Sequence, residues 1–139
     1  MSIGLTLMLL RPFILNFFLI FEKFVLLYLV LTPQYFVQVR NATLHINEVG
    51  NPKGEKLMIL LHGFLGTGLV EWKYQLLYYA NSTEYRVVSP DLRGFNTSSK
   101  SEDVYVSNWG QSTLDIAELI GLLGYKNATV TCILDVMME

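Results

Sequence analysis

The chain has 139 residues, a formal net charge of −2 at pH 7 and a hydrophobic share of 52%. Without a Lys/Arg cluster it has no electrostatic footprint for nucleic acid. A single cysteine, Cys132, and two histidines give neither an internal disulfide nor a Cys/His spacing suited to zinc, so neither a metal nor a cofactor is expected.

The apolar excess is local. Residues 3–31 carry only Arg11, Glu22 and Lys23 as charged side chains among Leu, Ile, Phe, Val, Met and Tyr. A membrane helix needs roughly 20 mainly apolar residues to cross a hydrocarbon core of about 30 Å, so this stretch predicts a transmembrane helix. A span over 3–21 puts Arg11 near mid-membrane and one over 12–31 puts Glu22 and Lys23 there. Each such residue costs roughly 2.5–3.5 kcal/mol at the centre, and the register stays open. Residues 1–10 hold no basic side chain and no small-residue cleavage site follows, which argues against a cleaved signal peptide. The expected organisation is a single-pass anchor over 1–33, with the lipid bilayer as partner, and a globular domain over 34–139, divided at Thr32-Pro33 because proline does not continue a helix. Four N-x-S/T triplets, at Asn41, Asn81, Asn96 and Asn127, lean toward a lumenal domain and, with the anchor, toward the endoplasmic reticulum membrane.

Residues 35–40 and 43–49 alternate apolar and polar side chains and predict two antiparallel strands around a turn at Asn41-Ala42. Gly50-Asn51-Pro52-Lys53-Gly54 reads as a loop. Residues 57–61 are continuously apolar, as for a strand covered on both faces of a parallel sheet. It ends at His62-Gly63, which places Phe64 at the carboxyl edge where open α/β sheets bind ligands. Leu69, Trp72, Leu76, Tyr79 and Ala80 fall at helical spacing, with Trp72 as core, and residues 85–88 form the next strand before Asp91-Leu92-Arg93-Gly94. Ser112-Thr113-Leu114-Asp115 has capping-box character, and Leu114, Ala117, Ile120 and Leu123 make one face of a helix that Gly124 ends.

Four segments in this order, the His62-Gly63-Phe64 turn, the Trp72 to Leu76 stretch, the 85–94 strand and loop, and the helix through Asp115 to Tyr125, resemble the epoxide hydrolase branch of the α/β-hydrolase superfamily. The likeness spans residues 57–130. It implies a partial α/β-hydrolase fold, with the first five strands or so in a mostly parallel sheet and two crossover helices, behind the N-terminal transmembrane helix. It also implies that the Phe64 backbone N–H serves the oxyanion hole, where a preorganised donor stabilises charge that develops in the transition state. His62 and Gly63 are then the turn of that motif, and Asp91, Arg93 and Gly94 a structural signature that ties loops by charge-assisted hydrogen bonds. Leu65 stands where the epoxide hydrolase pattern has proline, and one residue is inserted before Trp72. His62-Gly63-Phe64-Leu65-Gly66 is nearer to serine-nucleophile members, so a serine hydrolase or dehalogenase fragment stays as an alternative.

Past Val130 the family continues into a glycine-flanked nucleophilic Asp, then an acid and a water-activating His in that order. Here the residues are Thr131 to Glu139; Asp135 lies near the nucleophile position but has no flanking glycine for the strained elbow. No catalytic residue is assigned. The expectation is an epoxide-hydrolase-like hydrolase fragment, truncated before the elbow and inactive by itself. The alternative is a non-catalytic membrane-anchored interaction protein that pairs its open sheet edge with another chain.

Overall fold

A computed structural model of the chain describes residues 15–25, 27, 33–63, 66–99 and 109–133. Two units, residues 1–31 and 32–139, separate by their internal contacts.

In the first unit residues 15–25 form helix α1. Phe17 and Phe21, one turn apart, stack at 6.4 Å between ring centroids, and Leu15, Phe18, Ile20 and Phe24 are exposed. The predicted transmembrane helix is not found: among the described residues no helix is long and apolar enough to cross a membrane. The described stretch of α1 covers about 16 Å at 1.5 Å per residue, and Glu22 and Lys23 lie within it. Residues 1–14, 26 and 28–32 lie outside the described residues.

The second unit is a five-stranded sheet with helices. Its strands are β1 (Gln34–Val39), β2 (Ala42–Gly50), β3 (Lys56–Leu61), β4 (Tyr85–Pro90) and β5 (Thr129–Cys132), in spatial order β1-β2-β4-β3-β5. Against the expectation of a mostly parallel sheet it is mixed: β1–β2 and β2–β4 are antiparallel, β3–β4 and β3–β5 parallel. The reason is local, since a two-residue connection can join only antiparallel strands. That turn is Arg40-Asn41, one residue earlier than the alternation suggests, with Val39 opposite Ala42 and Arg40 at φ +43.

Helices α2 (Gly68–Glu71) and α3 (Lys73–Tyr79) follow β3, and α4 (Trp109–Leu122) follows β4. The apolar stripe predicts one helix here; instead Trp72, at φ −104 and ψ 12, leaves helical geometry and splits it. Trp72 is buried as expected, with its indole N–H unpartnered among the described residues.

Period two sorts the sheet's side chains. Leu44, Ile46, Leu57, Ile59 and Val88 pack with Leu92, Ile116 and Leu119 into one core under α4. Helices α2 and α3 pack against β2 and β4, where Gly68 comes so close to Ser89 that an added Cβ would lie 2.8 Å from its backbone oxygen.

The predicted face of α4 is met in part: Ile120 and Leu123 pack against the core, while Leu114 and Ala117 are exposed. Ile116 and Leu119 are buried while Leu114 is 48% exposed, and the helix begins three residues before the supposed cap at Ser112. Asp115, buried within the helix, is paired with Arg93 instead. The C-terminus is as expected: Gly124 has φ +88, its N–H bonds Gly121 and that of Tyr125 bonds Ile120, a Schellman end.

Candidate active site

From β3 the chain moves to β4 on one side, then passes back over β3 to β5 on the other. Right-handed crossovers in opposite directions put their helices on opposite faces. The loops leaving β3 and β4 therefore diverge, and the crevice between their carboxyl ends is where open α/β sheets hold ligands. His62-Gly63 follows β3 and Asp91-Leu92 follows β4 at this edge.

His62 is 1% exposed and binds through both ring nitrogens. Its Nδ1 lies 2.7 Å from the Gly63 carbonyl, and its Nε2 accepts the Leu92 N–H at 2.9 Å. A nitrogen that accepts from a backbone amide carries no proton, so the Nδ1–H tautomer is fixed. The ring also meets Phe95 edge-on at 4.9 Å. His62 thus bridges the two strand ends, a fuller role than a turn residue.

Asp91, fully buried, collects donors from three segments. Its Oδ1 accepts the Gly68 N–H at 2.8 Å, and its Oδ2 accepts Asn96 Nδ2 at 2.7 Å and bonds His45 Nδ1 at 2.8 Å. These charge-assisted bonds pin the start of α2, the loop after β4 and strand β2 to one carboxylate. Its backbone adds more: the Asp91 N–H donates to the His45 carbonyl, and its own carbonyl accepts the Ser98 hydroxyl. Ser98 Oγ in turn accepts the His45 N–H at 2.8 Å.

The turn between Gly63 and α2 is held from within. The Gly63 N–H donates to Glu71 Oε2 at 2.7 Å, and Thr67 caps α2 by accepting the Val70 N–H at 3.3 Å. The Glu71 carboxylate lies over Gly66, where any Cβ would collide with it. Phe64, expected to give the oxyanion N–H, and Leu65 lie outside the described residues, as does Asp135.

Arg93 bonds neither His62 nor Asp91 among the described residues. Its Nε and Nη2 bond both oxygens of Asp115 at 2.9 and 2.8 Å, and Nη2 also donates to Asn41 Oδ1 at 2.9 Å. The Asp115 hydrogen bonds and charge hold the guanidinium above its ordinary range against a smaller opposing effect of burial. Together with the Arg40 N–H on Glu118 Oε2 at 2.9 Å, this docks α4 on the β1–β2 turn. Gly94 sits in an exposed turn at φ +88.

His62, Gly63 and Asp91 are therefore brought together, while Arg93 serves α4. The alternation over 43–49 gives His45 no more than a strand position, and the sequence does not mark Glu71, Thr67, Asn96 or Ser98 as part of this site. Thr67 three residues before Val70 is an N-cap signal; the partners of Asp91 are 5 to 46 residues away and carry none. His45 and Asp91 form the pair that orients a general base, but His45 Nε2 has no bonded hydroxyl or thiol among the described residues. The arrangement is a braced rim, with no nucleophile assembled on it among the described residues.

Residues 56–127, just over half of the chain, match the family described as alpha/beta hydrolase fold. Epoxide hydrolase 4 of Homo sapiens is 32% identical over 98 residues, covering 68% of this chain and 26% of the relative. Epoxide hydrolase 2 of Caenorhabditis elegans is 28% identical over 95 residues, with the same two shares. Among solved structures, a Vigna radiata epoxide hydrolase mutant superposes with a TM-score of 0.64 at 28% identity, over 72% of this chain and 30% of its own. The chain spans about a quarter of the length of these curated relatives. With His62-Gly63 and Asp91 at the carboxyl edge of such a sheet, the chain belongs to the α/β-hydrolase fold family and is epoxide-hydrolase-like.

Proposed function

We propose that these residues form the oxyanion-side half of an epoxide-hydrolase-like site, whose reaction opens an epoxide through an alkyl-enzyme ester, and that the 139-residue chain does not turn over by itself. The observation that supports this reading is the His62–Leu92 bond, which joins the turn before Phe64 to the β4 edge. By the family resemblance the Phe64 N–H is the donor to developing negative charge, worth a few kcal/mol in the transition state. An attacking group, a water-activating His and an acid to orient it are also required. Within these 139 residues both histidines are bound up in the fold, and no glycine-flanked Asp, Ser or Cys follows β5. Purified chain incubated with styrene oxide, a nitrophenyl ester and a haloalkane should leave all three unchanged. Turnover that survives repurification and disappears in Asp135→Ala would overturn the inactive reading.

A second reading is a non-catalytic interaction protein. It is favoured by β5, exposed along its whole length, and by the apolar groove that Leu61, Leu92, Ile116, Ile120 and Val130 line beside it. A free strand edge next to apolar surface is a template for pairing with another chain. Co-purification of one protein at fixed stoichiometry would support it.

The apolar stretch over 3–31 supports attachment to a membrane, and the four N-x-S/T triplets support the endoplasmic reticulum with residues 34–139 in the lumen. Resistance to carbonate extraction tests the attachment, and release by carbonate would refute it.

A further inference from the structure

We infer that Asn81 and Asn127, and not Asn41 or Asn96, are acceptors for N-linked oligosaccharide. The inference rests on the lumenal orientation proposed above. All four asparagines head N-x-S/T triplets, but the fold divides them into two pairs.

The transfer uses two groups of the triplet. The Asn Nδ2 forms a bond to the anomeric carbon of a lipid-pyrophosphate-linked oligosaccharide. The bond from that carbon to the pyrophosphate oxygen breaks, the lipid pyrophosphate leaves with the electron pair, and the amide proton passes to a carboxylate of the transferase. The hydroxyl two residues on is the transferase's second contact, and the finished fold must then hold the sugar on Nδ2 without losing a bond that it needs.

Asn96 has neither group to spare; at Asn41 the amide oxygen and the partner hydroxyl are engaged, and only the amide nitrogen is unbonded among the described residues. Asn96 Nδ2 donates to the buried Asp91 carboxylate at 2.7 Å, and its partner hydroxyl on Ser98, 4% exposed, donates to the Asp91 carbonyl. Asn41 Oδ1 takes Arg93 Nη2, and the Thr43 hydroxyl donates to Gln38 Oε1 at 2.7 Å. Both also sit at the rim that carries His62 and Asp91, Asn96 in the loop after β4 and Asn41 in the turn that bonds Arg93.

Asn81 and Asn127 are the reverse case. Each is exposed with no bonded side-chain partner among the described residues, and Thr83 and Thr129 are exposed with unbonded hydroxyls. Asn81 lies between α3 and β4 and Asn127 between α4 and β5, so both loops enter the parallel strands at their amino ends. That is the edge opposite His62 and Asp91. Glycans there would leave the catalytic rim open, whereas a glycan on Asn96 would have to displace part of the Asp91 network.

The test is expression of the full chain in mammalian cells with an added C-terminal N-x-T acceptor tag, followed by peptide-N-glycosidase and gel mobility. Three steps are expected, one from the tag. Asn81→Gln and Asn127→Gln should each remove one step, as should Thr83→Ala and Thr129→Ala, which keep the asparagine. Asn41→Gln and Asn96→Gln should remove none. A glycosylated tag with no step assignable to Asn81 or Asn127, or a step that maps to Asn41 or Asn96, overturns the inference while the lumenal orientation stands. A bare tag and no step at all overturns both.

Discussion

The Leu92 N–H meets His62 Nε2 at 2.9 Å, so a side chain just past β3 satisfies a buried amide just past β4. The imidazole does for two parallel strands what their own ladder does further back, and it does so at the point where the strands part. His62→Ala leaves that amide without an acceptor, a loss of about 1–3 kcal/mol, before the ring's packing on Phe95 is counted. A urea titration should show the midpoint falling with the slope unchanged. An unmoved midpoint would mean that the bond is dispensable.

Asp91 gathers the Gly68 N–H, Asn96 Nδ2 and His45 Nδ1 on one carboxylate. Asp91→Asn keeps the shape but turns one oxygen into a donor that faces another donor. The expected cost is about 1.5–3 kcal/mol, and amide exchange at Gly68 should accelerate more than in the middle of β4. Uniform acceleration across the sheet would deny Asp91 this local role.

The Arg93–Asp115 pair is bidentate, with side chains only 10% and 2% exposed. Asp115→Ala strands a guanidinium that is mostly out of water, for about 2–4 kcal/mol. Replacing both members by Met and Leu should recover most of that loss, because two desolvated charges are removed together. A double-mutant cycle measures the coupling, and additive single losses would refute it.

Burial first, and then the Glu48 carboxylate that Tyr35 donates to, push the Tyr35 hydroxyl from its ordinary 10 up to about 12. A group whose pKa is raised on folding stabilises the fold fully below its unfolded value and loses that contribution as pH climbs through the folded one. Thermal stability should therefore decline between pH 10 and pH 12. Tyr35→Phe should lack this part of the decline, and identical alkaline profiles for the two proteins would contradict the assignment. The partner Arg86 stays charged throughout: burial pulls its pKa down, but the hydrogen bonds and charge of Glu48 outweigh it and the net shift is upward.

Strand β3 was legible because five apolar residues before His62-Gly63 leave few other readings, and Gly124 because a left-handed end needs it. The register of α4 was not. Leu114, Ala117, Ile120 and Leu123 satisfy helical spacing as well as Ile116, Leu119, Ile120 and Leu123 do, and only the Arg93 partner decides that Asp115 turns inward. The sheet's mixed sense was half visible in the predicted hairpin; that β2 then lies against β4 and not β3 is a long-range choice that no local pattern records. At the site, His62 and Asp91 were found by motif, but His45 looks like any polar residue of an alternating strand until Asp91 is placed beside it.

Because β2 runs counter to β4, its beginning lies beside the end of β4, where the Ser99 N–H donates to the Thr43 carbonyl and the Thr43 N–H donates to the Ser99 hydroxyl. The hairpin is in this way a splint for the carboxyl edge of the sheet. Lengthening the Arg40-Asn41 turn by one residue would shift His45 and Thr43 out of step with Asp91 and Ser99. Tolerance to insertion should accordingly be lower there than at the Pro52-Lys53 bend, although both look like ordinary surface turns.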